Sequence, residues 1–164
     1  MPYTIVRPGA FMQNFSEKHF LRTVEGIRER DEIVGPGGDG VVSHVSTEDI
    51  AAVAAIALSE GGHEGKGYPL LGPEPLTMTQ VAEQIAWVAG RPIRYVETDH
   101  TPMRDALLAA GEPLETAEHN SRIHAYAFSS GAFGGLNDDI LEVTGRPPVS
   151  FAEYAAGAAA AWHR

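Results

Sequence analysis

The chain of 164 residues is long enough for one domain with a buried core, and it carries 22 acidic against 12 basic residues. The resulting formal net charge of −10 argues against nucleic acid or an anionic membrane surface as the main partner. The absence of cysteine excludes disulfides and cysteine metal sites, and the longest apolar run, residues 50–58, is too short to cross a bilayer. Since no signal pattern opens the sequence, we expect a cytoplasmic protein.

Strand and helix patterns alternate along the chain. Runs of β-branched and aromatic residues predict strands at 3–6, 41–45, 68–71 and 93–97. Apolar residues close to helical spacing predict one long helix from Phe11 to Arg30. This alternation predicts an α/β architecture with mainly parallel strand pairing, and from about Pro92 onward helices dominate.

Capping residues mark the starts of the remaining predicted helices. Serine or threonine followed three positions later by an acidic residue or glutamine is typical of a capping box. The predicted caps are Ser46 with Asp49, Thr77 with Gln80, Thr101 before Pro102, Asn137, and Ser150 with Glu153. Asp49 is expected to have only a structural role in the first turn of its helix, where a carboxylate complements the helix dipole.

The first predicted strand raises a question of partners. Residues 4–6 read as a buried strand, yet the chain offers few other strands to flank it. An apolar edge strand left unpaired invites association. We therefore expect either a missing amino-terminal half or a second copy of the chain to cover this edge.

Two motifs that suggest a functional site lack the surrounding sequence or spacing that such a site requires. Gly35, Gly37 and Gly40 match Gly-x-Gly-x-x-Gly, but a predicted strand rather than a helix follows, so we interpret them as an ordinary loop. His119 and His124 are five residues apart and diverge on a helix, so no metal site is predicted.

Four passages carry a family resemblance. They are Arg7-Pro8-x-x-Phe11-x-x-Asn14, Val45-x-x-x-Asp49-Ile50-Ala51, the stretch 68–77, and Thr-Gly-Arg-x-Pro-x-Ser-Phe at 144–151. In this order they resemble the NmrA-like family, atypical short-chain dehydrogenase relatives that bind NAD(P). In that family the first passage lies near the middle of the chain, after a glycine-rich cofactor loop. The resemblance therefore implies the carboxyl half of such a protein, without its pyrophosphate-binding loop.

The resemblance also implies a fold and a division of the chain. It implies a partial Rossmann-like parallel sheet with a helical lid on the substrate side. Residues 1–91 would form the carboxyl part of the α/β domain, and residues 92–164 a mostly helical substrate-binding region packed on it.

Candidate site residues follow from the same resemblance. The turn after the first strand would line the nicotinamide side of the cleft, and a glycine there permits close approach of a ligand. The residues assigned to NAD(P) are Pro8, Gly9, Ala10 and Phe11. Asn14 would bind a carbonyl oxygen of the substrate, or else only connect the loop to the sheet, and His100 follows a strand end where pockets form. Independently of the resemblance, His44 alternates with the more apolar positions 41, 43 and 45 of a predicted strand, so it is predicted to point away from the core.

The expected activity is hydride transfer between a nicotinamide and a small carbonyl or quinone-like substrate. No catalytic residue is assigned. No tyrosine in this chain has a lysine four positions on, but in the resembled family this motif, when present, lies upstream of the passage that opens this chain, so its absence is uninformative. Two alternatives stay open: a non-catalytic sensor of the NAD(P) redox state, and a dimerising interaction module without the cofactor loop. The substrate, the choice between NAD and NADP, and whether Met1 is the natural start are not decided by the sequence.

Overall fold

A computed structural model describes residues 2–18 and 23–164. Within these ranges the chain alternates strands with helices, as predicted. The strands are β1 (Ile5–Pro8), β2 (Glu32–Gly35), β3 (Val41–Val42), β4 (Gly67–Leu70), β5 (Leu76–Thr77) and β6 (Arg94–Glu97). The α-helices are α1 (Thr23–Arg30), α2 (Thr47–Ser59), α3 (Met78–Ala89), α4 (Thr101–Ala109), α5 (Leu114–Ser129), α6 (Asp139–Thr144) and α7 (Phe151–Ala158). Short 3₁₀ helices lie at Met12–Phe15 and Ala159–Trp162. None of these helices is long and apolar enough to span a bilayer.

The strands form three pairs. β1 pairs with β4 and β2 pairs with β6, both in parallel, while β3 and β5 are antiparallel. The two parallel pairs confirm the predicted α/β architecture. Strands β2 and β5 were not predicted, because each contains at most two apolar residues and so lacks the pattern that indicates a strand.

β1 begins two residues later than the predicted strand and is more exposed than the buried strand that was expected. Within the described ranges it pairs with β4 on one edge only, in a register that places Ile5 opposite Gly67. Ile5 is 39% exposed and Tyr3, just before the strand, is 60% exposed. The expected uncovered edge is thus present in the described part of the chain.

The main core lies between the β2–β6 pair and the helices around it. Its largest fully buried side chain is Trp162, in the carboxyl-terminal 3₁₀ helix. Phe151 and Tyr154 of α7 pack here beside residues of α1 and α3. The core therefore joins the end of the chain to its first third, and a second, smaller cluster lies between the β1–β4 pair, α2 and α6.

The single helix predicted from Phe11 to Arg30 is wrong. Phe11 has extended backbone angles and forms a parallel bridge with Val45, so the helix cannot begin there. A short 3₁₀ helix follows, and α1 begins only at Thr23. The apolar residues Phe20 and Leu21, which contributed to the prediction, lie outside the described residues.

The capping predictions are confirmed where the partner is local. Thr77 with Gln80 and Ser150 with Glu153 form complete capping boxes. Ser46 caps α2 by accepting a hydrogen bond from the backbone of Glu48, but no box forms, because the Asp49 carboxylate bonds elsewhere.

Two other predicted caps are wrong. Thr101 is the first residue of α4 rather than its cap, and its N–H donates to the carboxylate of Asp99. Asn137 donates to the carbonyl of Pro69, and Asp138 occupies the cap position of α6. In both cases the capping position is displaced by one residue.

Candidate functional site

A cavity of about 340 Å³ opens at the carboxyl ends of three strands. Residues just beyond the carboxyl ends of β1, β2 and β6 form one side of it. Helices α4 and α5 form the other side. In open α/β folds, ligands bind outside the carboxyl ends of the strands, so this cavity is the candidate site.

The floor of the cavity is buried and almost entirely apolar. The buried residues that line it are Phe15, Ile33, His44, Met78 and Phe128. Exposed charged residues of opposite sign, Arg30 and Asp99, also line the cavity and lie at its rim. The Asp99 carboxylate accepts a hydrogen bond from Thr101, which holds the pKa of Asp99 below its usual value. A ligand would meet charge at the entrance and aromatic carbon within.

The turn after β1 is held in place by backbone hydrogen bonds. Val45 N–H donates to the carbonyl of Ala10 at 2.9 Å, and Met12 N–H donates to the carbonyl of Val45 at 3.0 Å. Ala10 and Phe11 line the cavity. The wall that they form is therefore fixed before any ligand arrives.

Glycine at position 9 has a packing explanation. A Cβ atom there would lie 3.1 Å from the side chain of Leu71 and 3.7 Å from the carbonyl of Leu70. Neither Pro8 nor Gly9 lines the cavity in the described structure. A larger residue at position 9 would therefore press on the Leu71 side chain, and a contact of Pro8 and Gly9 with a cofactor stays a prediction.

The glycines at 35, 37 and 40 lie between β2 and β3, which agrees with the interpretation as a loop. At Gly40, a Cβ atom would lie 2.0 Å from the carbonyl oxygen of Phe128. Gly40 therefore permits close packing between this loop and α5. No helix follows the loop to receive a pyrophosphate.

The prediction that His44 points away from the core is wrong. Its side chain is only 3% exposed. The predicted alternation along 41–45 fails because β3 ends at Val42, and residues 43–45 bond instead to other segments on both sides. Ser43 N–H donates to Phe133, Gly72 N–H donates to Ser43, and Val45 N–H donates to Ala10.

Burial determines the charge state of His44. It lowers the pKa of His44 from 6.5 to about 4, and the carbonyl of Val42, which favours the protonated ring, offsets only part of the shift. The ring lies edge-on to Phe15, with centroids 5.2 Å apart, and to Phe151 at 5.9 Å. His44 is therefore a neutral imidazole at physiological pH.

This shift predicts a pH dependence of stability. The unfolded chain takes up a proton at His44 near pH 6.5, whereas the native protein does so only near pH 4. Stability is therefore unaffected above pH 6.5 and falls as the pH drops through this window. We expect the loss to reach about 3 kcal/mol relative to the variant His44→Phe, from the 2.5-unit difference in pKa. Urea unfolding of both proteins at several pH values between 7 and 4 measures this loss. If the free energies of unfolding of the two proteins changed with pH in the same way, the result would contradict a buried neutral ring at His44.

Two further residues of the wall, Thr98 and His124, come from the second half of the chain. His124 of α5 lines the cavity and stacks on Phe128, with ring centroids 4.3 Å apart. Thr98 follows β6, and its buried hydroxyl lacks a hydrogen-bond partner among the described residues. The sequence analysis assigned neither His124 nor Thr98 to the site. The available signal for His124 was its spacing of four residues from Phe128, which places both rings on one face of a helix.

The predicted substrate residues lie in different places. Asn14 lines the cavity. His100 does not, because its Nε2 lies 3.2 Å from the carboxylate of Glu118, which also pairs with Arg122. The structure thus brings Ala10, Phe11 and Asn14 together at the cavity, and a role for His100 in binding stays a prediction without a contact to support it. Within residues 2–18 and 23–164, no cluster of three or more side chains could hold a metal.

Comparison with known proteins gives relatives among enzymes that use NAD(P)H. No family model matches the chain. It is 40% identical over 162 residues to the NAD(P)H azoreductase of Xenophilus azovorans, covering 99% of this chain and 54% of that protein. It is 30% identical over 154 residues to quinone oxidoreductase 2 of Escherichia coli K12, covering 92% and 51%. The chain thus spans about half the length of the curated relatives that it matches.

Solved structures show the same relationship. An NADPH-dependent quinone oxidoreductase of Escherichia coli in complex with NADPH superposes with a TM-score of 0.77 at 27% identity, covering 96% of this chain and 53% of that one. Triphenylmethane reductase of Citrobacter in complex with NADP(H) gives 0.74 at 27% identity, with the same coverage. The chain is therefore homologous to NAD(P)H-dependent oxidoreductases and shares half of their Rossmann-like α/β fold, which confirms the predicted fold class.

Proposed function

We propose that this chain is the substrate-side, carboxyl half of an NAD(P)-dependent oxidoreductase of the NmrA-like kind. The observation that carries the proposal is the cavity at the carboxyl ends of β1, β2 and β6. Homology to reductases that use NAD(P)H supports it. In this proposal residues 1–91 supply the ends of β1 and β2, and residues 92–164 supply the end of β6 and the helical wall on the substrate side.

We assign the turn after β1 to the nicotinamide end of NAD(P). Ala10 and Phe11 are apolar, line the cavity and are held by hydrogen bonds to Val45, so they suit the uncharged ring of a reduced nicotinamide. Pro8 and Gly9 join this assignment by resemblance alone. When bound, the cofactor supplies the hydride, and the side chains of the cavity orient the acceptor and exclude water.

The acceptor that fits best is a neutral, unsaturated ring compound of the quinone type. The relatives are named as azo, quinone and triphenylmethane reductases or oxidoreductases, so unsaturated carbon frameworks recur in their names. The cavity volume suits a small ligand. Its buried floor offers Phe15, Phe128 and Met78 to an aromatic ring. Asn14 supplies an amide at the same cavity for an oxygen of the acceptor.

The uncovered edge of β1 fits an assembly with further strands. Tyr3 and Ile5 are exposed beside it, and Leu58 of α2 is 88% exposed. We propose that the amino-terminal half of the fold covers this edge, as expected for a chain that matches half of its relatives' length. Measuring the mass of the protein in solution distinguishes this arrangement from a dimer in which a second copy of the chain covers the edge of β1.

Turnover by the native gene product tests the proposal. We expect it to oxidise NADPH in the presence of 1,4-naphthoquinone, and Asn14→Ala to lower kcat/KM for the quinone about tenfold through the loss of one hydrogen bond. Asn120→Ala, at an exposed position of α5, is the matched control and should leave the rate unchanged. Binding of NADPH without its consumption would instead favour a redox sensor.

A further inference from the structure

We propose that Gly35, the last residue of β2, determines the size of ligand that the cavity accepts, because its missing side chain leaves room for a second fused ring. The inference rests on the proposed function, since it concerns the same cavity, and it adds the residue that limits the ligand. Gly35 lines the cavity and is the first glycine of the Gly-x-Gly-x-x-Gly sequence. The three glycines of this sequence have different structural reasons.

Packing explains the other two glycines of this sequence. At Gly37, a Cβ atom would lie 3.0 Å from the hydroxyl oxygen of Tyr95 and 3.1 Å from the side chain of Met78. At Gly40, it would lie 2.0 Å from the carbonyl oxygen of Phe128. A side chain at either position would therefore press on a neighbouring segment.

Neither packing nor backbone geometry requires glycine at position 35. A Cβ atom there would meet no atom within 4 Å among the described residues beyond its two chain neighbours. Its φ angle does not lie in the left-handed region that favours glycine. Glycine inside a strand weakens the strand, since it has no side chain to pack and loses more conformational freedom on folding. Residues that break a local rule without a structural reason are expected at functional sites.

The open space at Gly35 belongs to the cavity. Side chains alternate between the two faces of a strand, so a Cβ atom at position 35 would lie on the same face of β2 as Ile33. Ile33 is fully buried in the main core and lines the floor of the cavity. The same face of the strand meets no packed atom two residues later. We infer that glycine at this position widens the cavity at the end of β2.

The end of β2 offers van der Waals contact rather than hydrogen bonds. The carbonyl of Gly35 accepts from the hydroxyl of Tyr95 at 2.8 Å and from the N–H of Thr98 at 3.1 Å, which occupies both of its lone pairs. Pro36 has no N–H, and Val34 is apolar. The part of a ligand that lies here is therefore hydrocarbon, and the bare backbone lets a flat ring approach closely.

Two quinones that differ by one fused ring test the inference. We expect the native protein to bind both 1,4-naphthoquinone and 1,4-benzoquinone in the absence of NADPH. Gly35→Val should weaken the binding of 1,4-naphthoquinone about tenfold and leave the affinity for 1,4-benzoquinone nearly unchanged, because the new side chain takes the space of the second ring. Isothermal titration calorimetry measures both dissociation constants.

The matched control is Gly157→Ala in α7. A Cβ atom at position 157 also meets nothing within 4 Å among the described residues, and this glycine is not among the residues that line the cavity. Gly157→Ala should therefore leave both dissociation constants unchanged. An equal change in the affinity ratio in both variants would contradict a specific role of Gly35.

Unfolding by urea gives a second readout. Gly35→Ala adds one methyl group to open space, so its unfolding midpoint should not fall below that of the native protein. Gly40→Ala should lower the midpoint strongly, because its methyl group would meet the carbonyl of Phe128. A lower midpoint for Gly35→Ala would show that the fold requires glycine there and would overturn the inference. If Gly35→Val does not fold, the folded alanine variant should show a smaller loss for 1,4-naphthoquinone in the same direction.

The outcomes distinguish this inference from the proposed function. An unchanged ratio of the two affinities in the folded Gly35 variants, or no binding of 1,4-naphthoquinone to the native protein, would overturn the inference. NADPH-dependent turnover of either quinone would still support the proposed function in both cases. A ratio that changes as expected without any consumption of NADPH would support the role of Gly35 and contradict the proposed oxidoreductase.

Discussion

We expect the substitution Trp162→Ala to lower the free energy of unfolding by about 4 kcal/mol, as for other fully buried tryptophans. Trp162 has no exposed surface, and its ring packs against Tyr154. Its Nε1 donates a buried hydrogen bond to the carbonyl of Phe15 at 2.8 Å, across 147 residues of sequence. Alanine would leave both a cavity and an unpaired carbonyl. Urea unfolding followed by circular dichroism measures the loss.

The variant Trp162→Phe isolates the hydrogen bond from the packing. It keeps an aromatic ring but leaves the Phe15 carbonyl without its donor, so we expect a loss of about 1–2 kcal/mol. Because Phe15 also lines the cavity, both variants should weaken ligand binding there. Equal stability of Trp162→Ala and the native protein would show that the carboxyl-terminal 3₁₀ helix does not support the core.

Features of the fold that depend on neighbouring residues could be predicted from the sequence. The capping boxes at Thr77 and Ser150 need partners only three residues away, and both form. The long helix from Phe11 was wrong because a distant residue, Val45, pairs with Phe11 and extends its backbone. The helix or strand propensity of neighbouring residues carries no information about a contact with a residue so far away in the sequence.

The candidate site was predictable in part. Resemblance to a known family led to Ala10, Phe11 and Asn14, and all three line the cavity. His44 was misplaced, because strict strand alternation was extended past the point where β3 ends. His124 was not singled out as a cavity residue, since its contact depends on how α5 packs over the strand ends, which periodicity does not specify.

Asp49→Ala is the second substitution with a large expected effect, a loss of about 3 kcal/mol, because it removes a buried carboxylate that joins two distant segments. Asp49 is fully buried; one oxygen accepts from the N–H of Val149 at 2.8 Å, and the other lies 2.8 Å from Nη1 of Arg146. Asp49→Asn should lose less, since its amide oxygen can still accept from Val149.

The matched control is Glu48→Ala, which removes an exposed acidic side chain from the same turn of α2. If Asp49 only complemented the helix dipole, as the sequence predicted, the two alanine variants would lose similar amounts, about 0.5 kcal/mol each. If Asp49 holds the segment before α7 in place, Asp49→Ala alone should be severe. Thermal unfolding of the three variants decides between these roles, because the dipole acts on both side chains whereas the hydrogen bond to Val149 belongs to Asp49.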